Sequence, residues 1–411
     1  MKNTMISKHW IPFYYGESLF LFDALNRFNR IECNAVEKDV IVSINEYHDI
    51  DDVVFHVVNE YHADNSDYAV ELVKQYINKL KKIGIIQEGK EVRRFYGREG
   101  YFYPFSVSLE LTDSCNFKCT HCYKEAEPCK QDFIDIETIR DINETLSPYV
   151  YSFEVTGGEP TVHPCFSEII DELDLPDLRL LTNGSRLQYL DPKTLARFSS
   201  IQFSLYGTSE RDYEIYARSR RFSDVMEGVR KVVDMGCPVT AAIILRKDSI
   251  GRMRDYFSLL NSLGVRDVRF GVSVKNGRNA IEESDWNLDF DQVNILSDEV
   301  KLLEKDYPDI NVTEIDPYED CDAFLPESTG YVLSCDGADC NICISQSETI
   351  RPCSMLPEEF FGIYNWNEYK EILLSKGKLN FDDAVMKCHA HLKCEGRSLL
   401  SLCTHAFKAI E

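Results

Sequence analysis

The 411-residue sequence lacks any long, uninterrupted apolar run. No stretch approaches the about 20 apolar residues of a membrane-spanning helix. Met1 to Gly16 lacks the apolar centre of a secretory signal peptide. We therefore expect a cytoplasmic protein with no membrane partner. The sequence also contains no internal repeat and no low-complexity segment.

Positive charge is scarce: 45 Lys and Arg residues stand against 69 Asp and Glu residues, for a formal net charge of −24. This balance argues against nucleic acid or an anionic membrane surface as a partner. It suits a basic or neutral peptide, although an acidic surface more often serves only solubility. The length predicts two to three domains, and the hydrophobic content of 44% is ample for packed cores.

Cysteine, by contrast, is abundant, with 15 residues. In a cytosolic chain this points to metal or cluster ligation rather than disulfides. Cys115, Cys119 and Cys122 follow a β-like run with the spacing C-x3-C-x2-C. Thiolates hold iron–sulfur clusters, and a cubane needs four ligands, so three cysteines would leave one iron open. The alternatives are a zinc knuckle, which usually needs a fourth Cys or His, or three unrelated loop cysteines.

A second motif closes the next predicted strand. Tyr151 to Thr156 is short and apolar, and Gly157-Gly158-Glu159-Pro160 follows it. Two glycines let the backbone turn sharply and approach a ligand closely, and Glu159 would offer a carboxylate to a cationic group. A tight turn with a solvated glutamate is the alternative. Together and in this order, the two motifs resemble the radical S-adenosylmethionine (SAM) enzymes.

The resemblance implies a cofactor and a reaction. The three cysteines would hold a [4Fe-4S] cluster, whose open iron binds the amino and carboxylate groups of SAM. SAM cleavage would give a 5′-deoxyadenosyl radical that abstracts a hydrogen atom, while the protein supplies orientation and exclusion. Tyr206 replaces the aspartate usual at its position, and Arg220 and Arg221 are alternatives to Arg218. The cofactor-binding positions implied by the resemblance are His121, Gly157, Gly158, Glu159, Pro160, Thr182, Asn183, Ser204 and Arg218.

Residues 104–280 alternate strand and helix patterns, which predicts a parallel sheet with right-handed crossovers. Six such units fit the α/β fold of the family, a partial (β/α)6 radical SAM barrel. Functional groups of such barrels lie at the carboxyl ends of the strands. The cysteine loop, the glycine motif, Thr182-Asn183 and Ser204 all lie at such ends of predicted strands. Lys275-Asn276-Gly277-Arg278 resembles the turn that follows strand six in this family.

Residues 1–95 are predicted to form an N-terminal winged-helix-like domain. A strand pair around Gly16 precedes helical patterns, including apolar residues three and four apart from Leu72 to Ile83. This order resembles the PqqD-like RiPP recognition element, which binds the leader of a ribosomal precursor peptide by strand addition. An unrelated winged-helix dimerisation domain is the alternative. Gln87 to Tyr103 would form a linker.

Residues 281–330 are predicted to be an acidic connecting segment. The segment 331–411 resembles a cysteine-rich SPASM domain, which implies one or two auxiliary Fe-S clusters. A zinc site using Cys340-x2-Cys343 with His389 and His391 is the alternative. The candidate auxiliary ligands are Cys321, Cys335, Cys340, Cys343, Cys353, Cys388, Cys394 and Cys403.

The resemblance as a whole is to radical SAM/SPASM peptide maturases. It implies hydrogen abstraction from a ribosomal precursor peptide, with a Cys thioether cross-link as the favoured product. Carbon–carbon cross-linking, epimerisation with a hydrogen donor such as Cys129, and maturation of a folded protein as in sulfatase maturases are alternatives. An electron donor such as flavodoxin or ferredoxin would be a second partner.

Overall fold

The computed structural model describes residues 3–24, 30–61, 66–273, 277–281, 288–313, 340–352, 354 and 364–379. These residues form two compact units. The first contains the described residues of Met1–Phe105 together with Ser375–Lys378, and the second contains the remaining described residues from Ser106 onward. In the described part of the chain, no helix is long and apolar enough to cross a membrane.

The first unit begins with short strands. β1 (Thr4–Ile6) precedes the hairpin of β2 (Trp10–Tyr15) and β3 (Ser18–Asp23), whose turn is centred on Gly16 as predicted. β4 (Arg30–Cys33) pairs antiparallel with β3 and lies at one edge of the sheet β4-β3-β2-β6.

Three helices cover one apolar core in this unit: α1 (Ala35–Tyr47), α2 (Ile50–Glu60) and α3 (Ser66–Lys82). The side chain of Asn34 accepts from the main-chain nitrogen of Glu37, and the Glu37 side chain bonds back to Asn34, a capping box that starts α1. Val40, Ile41 and Ile44 lie on the buried face of α1.

One strand of this unit overlaps the start of the predicted linker 87–103, and another lies within it. β5 (Ile86–Glu88) pairs antiparallel with β1, and β6 (Tyr96–Gly97) lies parallel to β2. The unit therefore continues to Phe105 rather than ending at residue 95. These pairings join segments about 80 residues apart. Local sequence patterns cannot predict contacts between segments so far apart in the chain.

The second unit contains the predicted barrel strands. They are β7 (Ser106–Glu110), β8 (Ser152–Thr156), β9 (Asp177–Thr182), β10 (Ser200–Ser204), β11 (Val239–Leu245) and β12 (Asp267–Val272), all parallel in sequence order. The helices between them are α4 (Ile136–Leu146), α5 (Phe166–Glu172), α6 (Pro192–Leu195), α7 (Phe222–Asp234) and α8 (Met253–Leu263). The predicted six-unit β/α architecture is confirmed.

Side chains of the barrel strands alternate between two faces of the sheet. Val107, Phe153, Leu180 and Phe203 are fully buried on one face. Because side chains alternate along each strand, the residues between them lie on the other face. The register aligns Ser108 of β7, Glu154 of β8 and Arg179 of β9 on that face.

Further elements extend the sheet at both edges. A short helix, α9 (Arg278–Ile281), and a long one, α10 (Phe290–Asp306), lead to β13 (Asn311–Thr313), which lies parallel to β12. At the other edge β14 (Asn341–Ile344) lies parallel to β7, followed by β15 (Thr349–Arg351), β16 (Tyr364–Asn365) and α11 (Trp366–Leu374). The strand β14 was not predicted.

Candidate functional site

The three cysteines of the C-x3-C-x2-C motif lie on the loop that leaves β7, here called the cluster loop (residues 111–127). Cys115 and Cys119 are buried and Cys122 is half-buried. The main-chain nitrogens of Phe117 and Ala126 donate to the sulfurs of Cys115 and Cys122, each at 3.4 Å. Such donors stabilise the thiolate form, which is the form that ligates metal.

The donor set fits an iron–sulfur cluster. Burial raises the pKa of Cys115, and the neighbouring Cys119 raises it further. Three adjacent thiolates therefore need a cationic centre beside them to remain charged. Within the described ranges, no three His, Cys, Asp or Glu side chains are arranged around a single metal ion. A [4Fe-4S] cubane makes a different demand, because each thiolate binds a separate iron.

The glycine motif packs against the cluster loop. The main-chain nitrogen of Gly158 donates to Thr112 O at 2.6 Å, and that of Glu159 donates to Ser114 O at 2.8 Å. A Cβ at Gly158 would lie 2.3 Å from Ser114 O, and one at Gly157 would lie 2.5 Å from Thr112 O. The glycines are thus required for a close approach between two loops of the chain.

Glu159 is fully buried and held by the chain itself. Its Oε1 accepts from Thr161 N at 3.1 Å, Thr161 Oγ1 at 2.5 Å and Thr182 Oγ1 at 2.7 Å. Its Oε2 accepts from Asn183 N at 2.6 Å. Burial raises the pKa of Glu159, and the hydrogen bond from Asn183 opposes that rise. The expectation that this carboxylate is offered to a cationic group is replaced by a role in joining the loops after β8 and β9. Pro160 follows it as the first residue of a short 3-10 turn.

Two predicted residues at the end of β9 are also hydrogen-bonded within the chain. Thr182 donates to Glu159, and Asn183 donates from Nδ2 to Asn116 Oδ1 at 2.8 Å. The same nitrogen lies 3.8 Å from Cys115 Sγ. Both side chains therefore contact the glycine motif or the cluster loop.

His121 packs against Tyr206, which lies two residues after Ser204, the last residue of β10. The ring centroids of His121 and Tyr206 are 5.6 Å apart, and burial, followed by the neighbouring Cys119, raises the pKa of the Tyr206 hydroxyl. Burial, followed by the charges of Arg246 and Arg278, lowers the pKa of His121 to about 3. The imidazole is therefore neutral, and the residue that replaces the family's aspartate lies directly beside a cluster cysteine.

One arginine predicted to bind the cofactor is exposed, and two other arginines are buried near the cluster loop. Arg218, predicted to lie near the SAM carboxylate, is an exposed residue with a left-handed backbone (φ 50°) after the π-helical turn Tyr213–Ala217. Arg246, which sequence reasoning missed, is 3% exposed and donates from Nη1 to Tyr206 O at 2.9 Å. The sequence feature that could have identified Arg246 is its position directly after β11, at the carboxyl end of a barrel strand. Arg278 is 5% exposed and donates from Nη1 to Cys119 O at 2.7 Å.

A buried ion-pair network lies beside the cluster loop. Glu110 Oε2 is 2.6 Å from Lys124 Nζ and also contacts Arg351 Nη2. Arg351 Nη2 in turn donates to Cys343 Sγ at 3.4 Å. This network links the end of β7 to β14 and β15.

Two of the candidate auxiliary ligands can be located. Cys343 lies on β14 in register with Ser108, and Cys340 directly precedes that strand; both are buried. The remaining candidates lie outside the described residues: Cys321, Cys335, Cys353, Cys388, Cys394 and Cys403.

Comparison with known proteins agrees with this geometry. Residues 109–260 match the family model of the Radical SAM superfamily. The antilisterial bacteriocin subtilosin biosynthesis protein AlbA of Bacillus subtilis (strain 168) is 23% identical over 317 residues, which is 74% of this chain and 67% of that protein. A probable GTP 3′,8-cyclase of Saccharolobus solfataricus is 27% identical over 168 residues, and the match spans 54% of its length.

Two solved structures share the fold. Streptococcus suis SuiB bound to S-adenosylmethionine aligns with a TM-score of 0.64 at 15% identity, over 97% of this chain and 94% of that chain. The native anSMEcpe with bound AdoMet and Cp18Cys peptide aligns with a TM-score of 0.52 at 12% identity, over 73% of this chain and 88% of that chain. Residues 109–260 contain the cluster loop, the glycine motif and β8 to β11, so the match to the Radical SAM superfamily, whose members use a [4Fe-4S] cluster with SAM, covers the candidate site.

Proposed function

We propose that this chain modifies a ribosomally made precursor peptide. The observation that supports this most is the breadth of the fold likeness to SuiB, which extends over 97% of the chain and includes its N-terminal unit. SuiB also aligns in its form bound to the precursor peptide SuiA, with a TM-score of 0.60. The sequence likeness to a bacteriocin biosynthesis protein supports the same substrate class.

In this proposal Cys115, Cys119 and Cys122 would hold a [4Fe-4S] cluster that, with SAM bound and one electron from a reductant, would supply radical chemistry for hydrogen abstraction from the peptide. The protein's own contribution is rigid placement. Gly158 and Glu159 hold the first part of the cluster loop by main-chain bonds, and Arg278 holds the second part at Cys119 O. A loop fixed in this way places its three thiols before any cofactor binds.

The N-terminal unit is proposed to bind the leader of that peptide, as a PqqD-like recognition element. Its sheet has the order β4-β3-β2-β6, so among the described strands β4 lies at an edge. Unpaired main-chain groups at a sheet edge are a template for strand addition. We place the leader along β4.

A thioether cross-link is the proposed product. Its support is the set of candidate auxiliary cysteines, of which Cys343 is buried next to the Arg351 guanidinium. A cation beside a thiol favours the thiolate that a second cluster would need.

Two other outcomes have specific support. Epimerisation needs a thiol donor, and the exposed Cys129 donates to Glu127 at 2.9 Å, a bond that raises the pKa of the Cys129 thiol. Maturation of a folded protein is the second alternative, since the anSMEcpe fold likeness covers the barrel, although it spans only 73% of this chain.

The mass of the product decides between these outcomes. The reconstituted enzyme is incubated anaerobically with SAM, a reductant and the short peptide encoded beside its gene, in light and in heavy water. Loss of two hydrogens with one thiol no longer alkylatable supports the thioether. The same loss with every thiol free indicates a carbon–carbon link. Unchanged mass in light water with deuterium uptake in heavy water indicates epimerisation.

Leader binding is tested separately with the full-length enzyme. Affinity for the complete precursor is compared with affinity for a peptide that lacks the leader, using fluorescence anisotropy. The proposal expects the leader to supply most of the binding energy. Equal affinity for both peptides contradicts leader recognition and favours the folded-protein alternative.

A further inference from the structure

Asn183 lies at the carboxyl end of β9 and is 5% exposed. Its Oδ1 accepts hydrogen bonds from Ser185 N at 3.0 Å and Ser185 Oγ at 2.7 Å. Its Nδ2 donates to Asn116 Oδ1 at 2.8 Å and lies 3.8 Å from Cys115 Sγ. This amide therefore contacts both the cluster loop and its own turn.

The orientation of the amide follows from its partners. A main-chain N–H can only donate, so the atom that faces Ser185 N must be the amide oxygen. The opposite atom, which faces Cys115, must then be the NH2 group. The Asn183 side chain therefore directs an N–H donor at Cys115 Sγ, and its amide oxygen faces away from the sulfur.

The hydrogen-bonding capacity of the Asn183 side chain is fully used. A carboxamide has two N–H donors and two acceptor lone pairs. Asn116 and Cys115 occupy the donors, and the two bonds from Ser185 occupy the acceptor. No group of this side chain remains for the SAM contact that the family resemblance implied.

The amide is also held in place by its neighbours. Asn116 Nδ2 donates to Ser185 Oγ at 2.8 Å, which closes a ring of three side chains. The main-chain nitrogen of Asn183 is fixed by Glu159 at 2.6 Å. Loops from three successive strands therefore set the position of the donor, and little rotamer freedom is lost when it binds the sulfur.

We propose that Asn183 is a positioning residue for Cys115, whose N–H donates to the thiolate and raises the reduction potential of the cluster. This assignment rests on the proposed function, because it requires the cluster. Hydrogen bonds to ligand sulfurs are among the factors that set cluster potentials. A donor offsets negative charge, so it favours the reduced cluster, which has one electron more. The main-chain nitrogen of Phe117 is a second donor to the same sulfur.

The test uses the full-length reconstituted enzyme and the variants Asn183→Asp, Asn183→Ala and Ser185→Ala. Asp is isosteric and replaces the donor by an acceptor. Ser185→Ala is the matched control, because Ser185 belongs to the same ring but has no bond to the sulfur. An EPR-monitored redox titration gives the midpoint potential of the cluster whose signal changes on addition of SAM. Iron content and SAM affinity are measured in parallel.

Both Asn183 variants are expected to have midpoint potentials more negative than those of wild type and Ser185→Ala, with Asp shifted furthest. Their affinity for SAM is expected to stay within about twofold of wild type, since the side chain has no free group for SAM. Loss of the cluster from both Asn183 variants, with normal iron in Ser185→Ala, also supports the positioning role.

Three results overturn the assignment. The first is an unchanged potential at normal iron content. The second is an equal shift or iron loss in Ser185→Ala, which assigns the effect to loop rigidity. The third is a tenfold loss of SAM affinity at unchanged potential, which makes Asn183 a cofactor contact. A wild-type chain that takes up no SAM-responsive cluster overturns the proposed function itself, and this assignment with it.

Discussion

Arg278 donates from Nη1 to the main-chain oxygen of Cys119 at 2.7 Å, although 159 residues separate them in sequence. Its Nη2 donates to Ala126 O at 3.0 Å, and its main-chain nitrogen donates to Cys122 O at 3.0 Å. The turn after β12 therefore holds the second half of the cluster loop, as the glycine motif holds the first half.

Replacing Arg278 by Ala should loosen the cluster loop. Two buried carbonyls lose a charged donor, and such bonds are worth about 1.5–3 kcal/mol each. We expect less iron per chain after reconstitution and a lower midpoint of thermal unfolding. The matched control is Arg254→Ala, whose side chain is 64% exposed and pairs with Asp306. Similar iron loss in both variants would show that Arg278 has no special role.

Gly158→Ala should displace the cluster loop, because the new Cβ would lie 2.3 Å from Ser114 O. Overpacking of this kind typically costs about 1–3 kcal/mol. The expected result is reduced SAM-dependent deoxyadenosine formation together with lower thermal stability. At Gly271 a Cβ would meet Ile244 Cδ1 at an ordinary 3.5 Å, so Gly271→Ala should be tolerated. Wild-type behaviour of Gly158→Ala would contradict the close approach of the two loops.

The triple variant Cys115→Ala, Cys119→Ala, Cys122→Ala should lose deoxyadenosine formation entirely. The reason is that the cluster has no other ligand set on this loop. Liquid chromatography of deoxyadenosine with and without peptide measures the effect. Auxiliary clusters, if bound, should leave residual iron in this variant. Continued SAM cleavage by this variant would show that these cysteines are not the cluster ligands.

Glu110→Gln should destabilise the second unit strongly. Glu110 is fully buried and contacts Lys124 and Arg351, whose side chains are 8% and 5% exposed. Removing one partner of a buried pair typically costs about 3–5 kcal/mol, because the cations stay buried. Urea unfolding of the apo chain measures this loss. The control Glu137→Gln removes a 74% exposed carboxylate and should change stability by less than about 0.5 kcal/mol. Equal effects of both changes would be inconsistent with a buried network.

Acidification should destabilise the fold through His163. The main-chain N–H of Cys165 donates to His163 Nδ1 at 3.1 Å, so Nε2 bears the proton and donates to Ile134 O at 2.9 Å. Burial lowers the pKa of His163. The unfolded imidazole takes up a proton near pH 6.5, so stability is lost as the pH falls below that value, by at most about 1.4 kcal/mol per pH unit.

The measurement is the free energy of unfolding at pH 7.5 and pH 5.5 for wild type and His163→Gln. The loss between the two pH values should be smaller in the variant. His56→Gln is the control, since His56 is exposed and contacts Tyr47 on the protein surface. A variant with the full wild-type pH dependence would exclude His163 as the source.

The sequence alone was sufficient for the alternation of strands and helices in the barrel. Apolar residues recur along Phe222–Asp234 with helical spacing, and short apolar runs separate such helices. Both signals are local, so they can be recognised in the sequence without knowledge of tertiary contacts. Two short strands, β6 and β14, were not predicted from the sequence, because they pair with strands far along the chain.

In the candidate site, too, some features follow from the local sequence and others depend on tertiary contacts. The spacing of Cys115, Cys119 and Cys122 and the Gly157-Gly158-Glu159 motif predict the chemistry, because ligand type and backbone freedom belong to the residues themselves. Which groups each side chain contacts is a tertiary property. Glu159 and Asn183 were assigned to the cofactor from sequence, yet their polar atoms are used by the chain.

The sequence therefore determined the order of the barrel strands, and it predicted the chemistry and the three thiol ligands of the site. Only the tertiary structure decided that Arg246 and Arg278 lie beside the cluster loop, that Arg218 is exposed, and that Cys343 joins the barrel sheet. The physical reason is that motifs and periodicity are short-range signals. Hydrogen bonds such as that from Arg278 to Cys119 exist only after the strands have brought distant segments together.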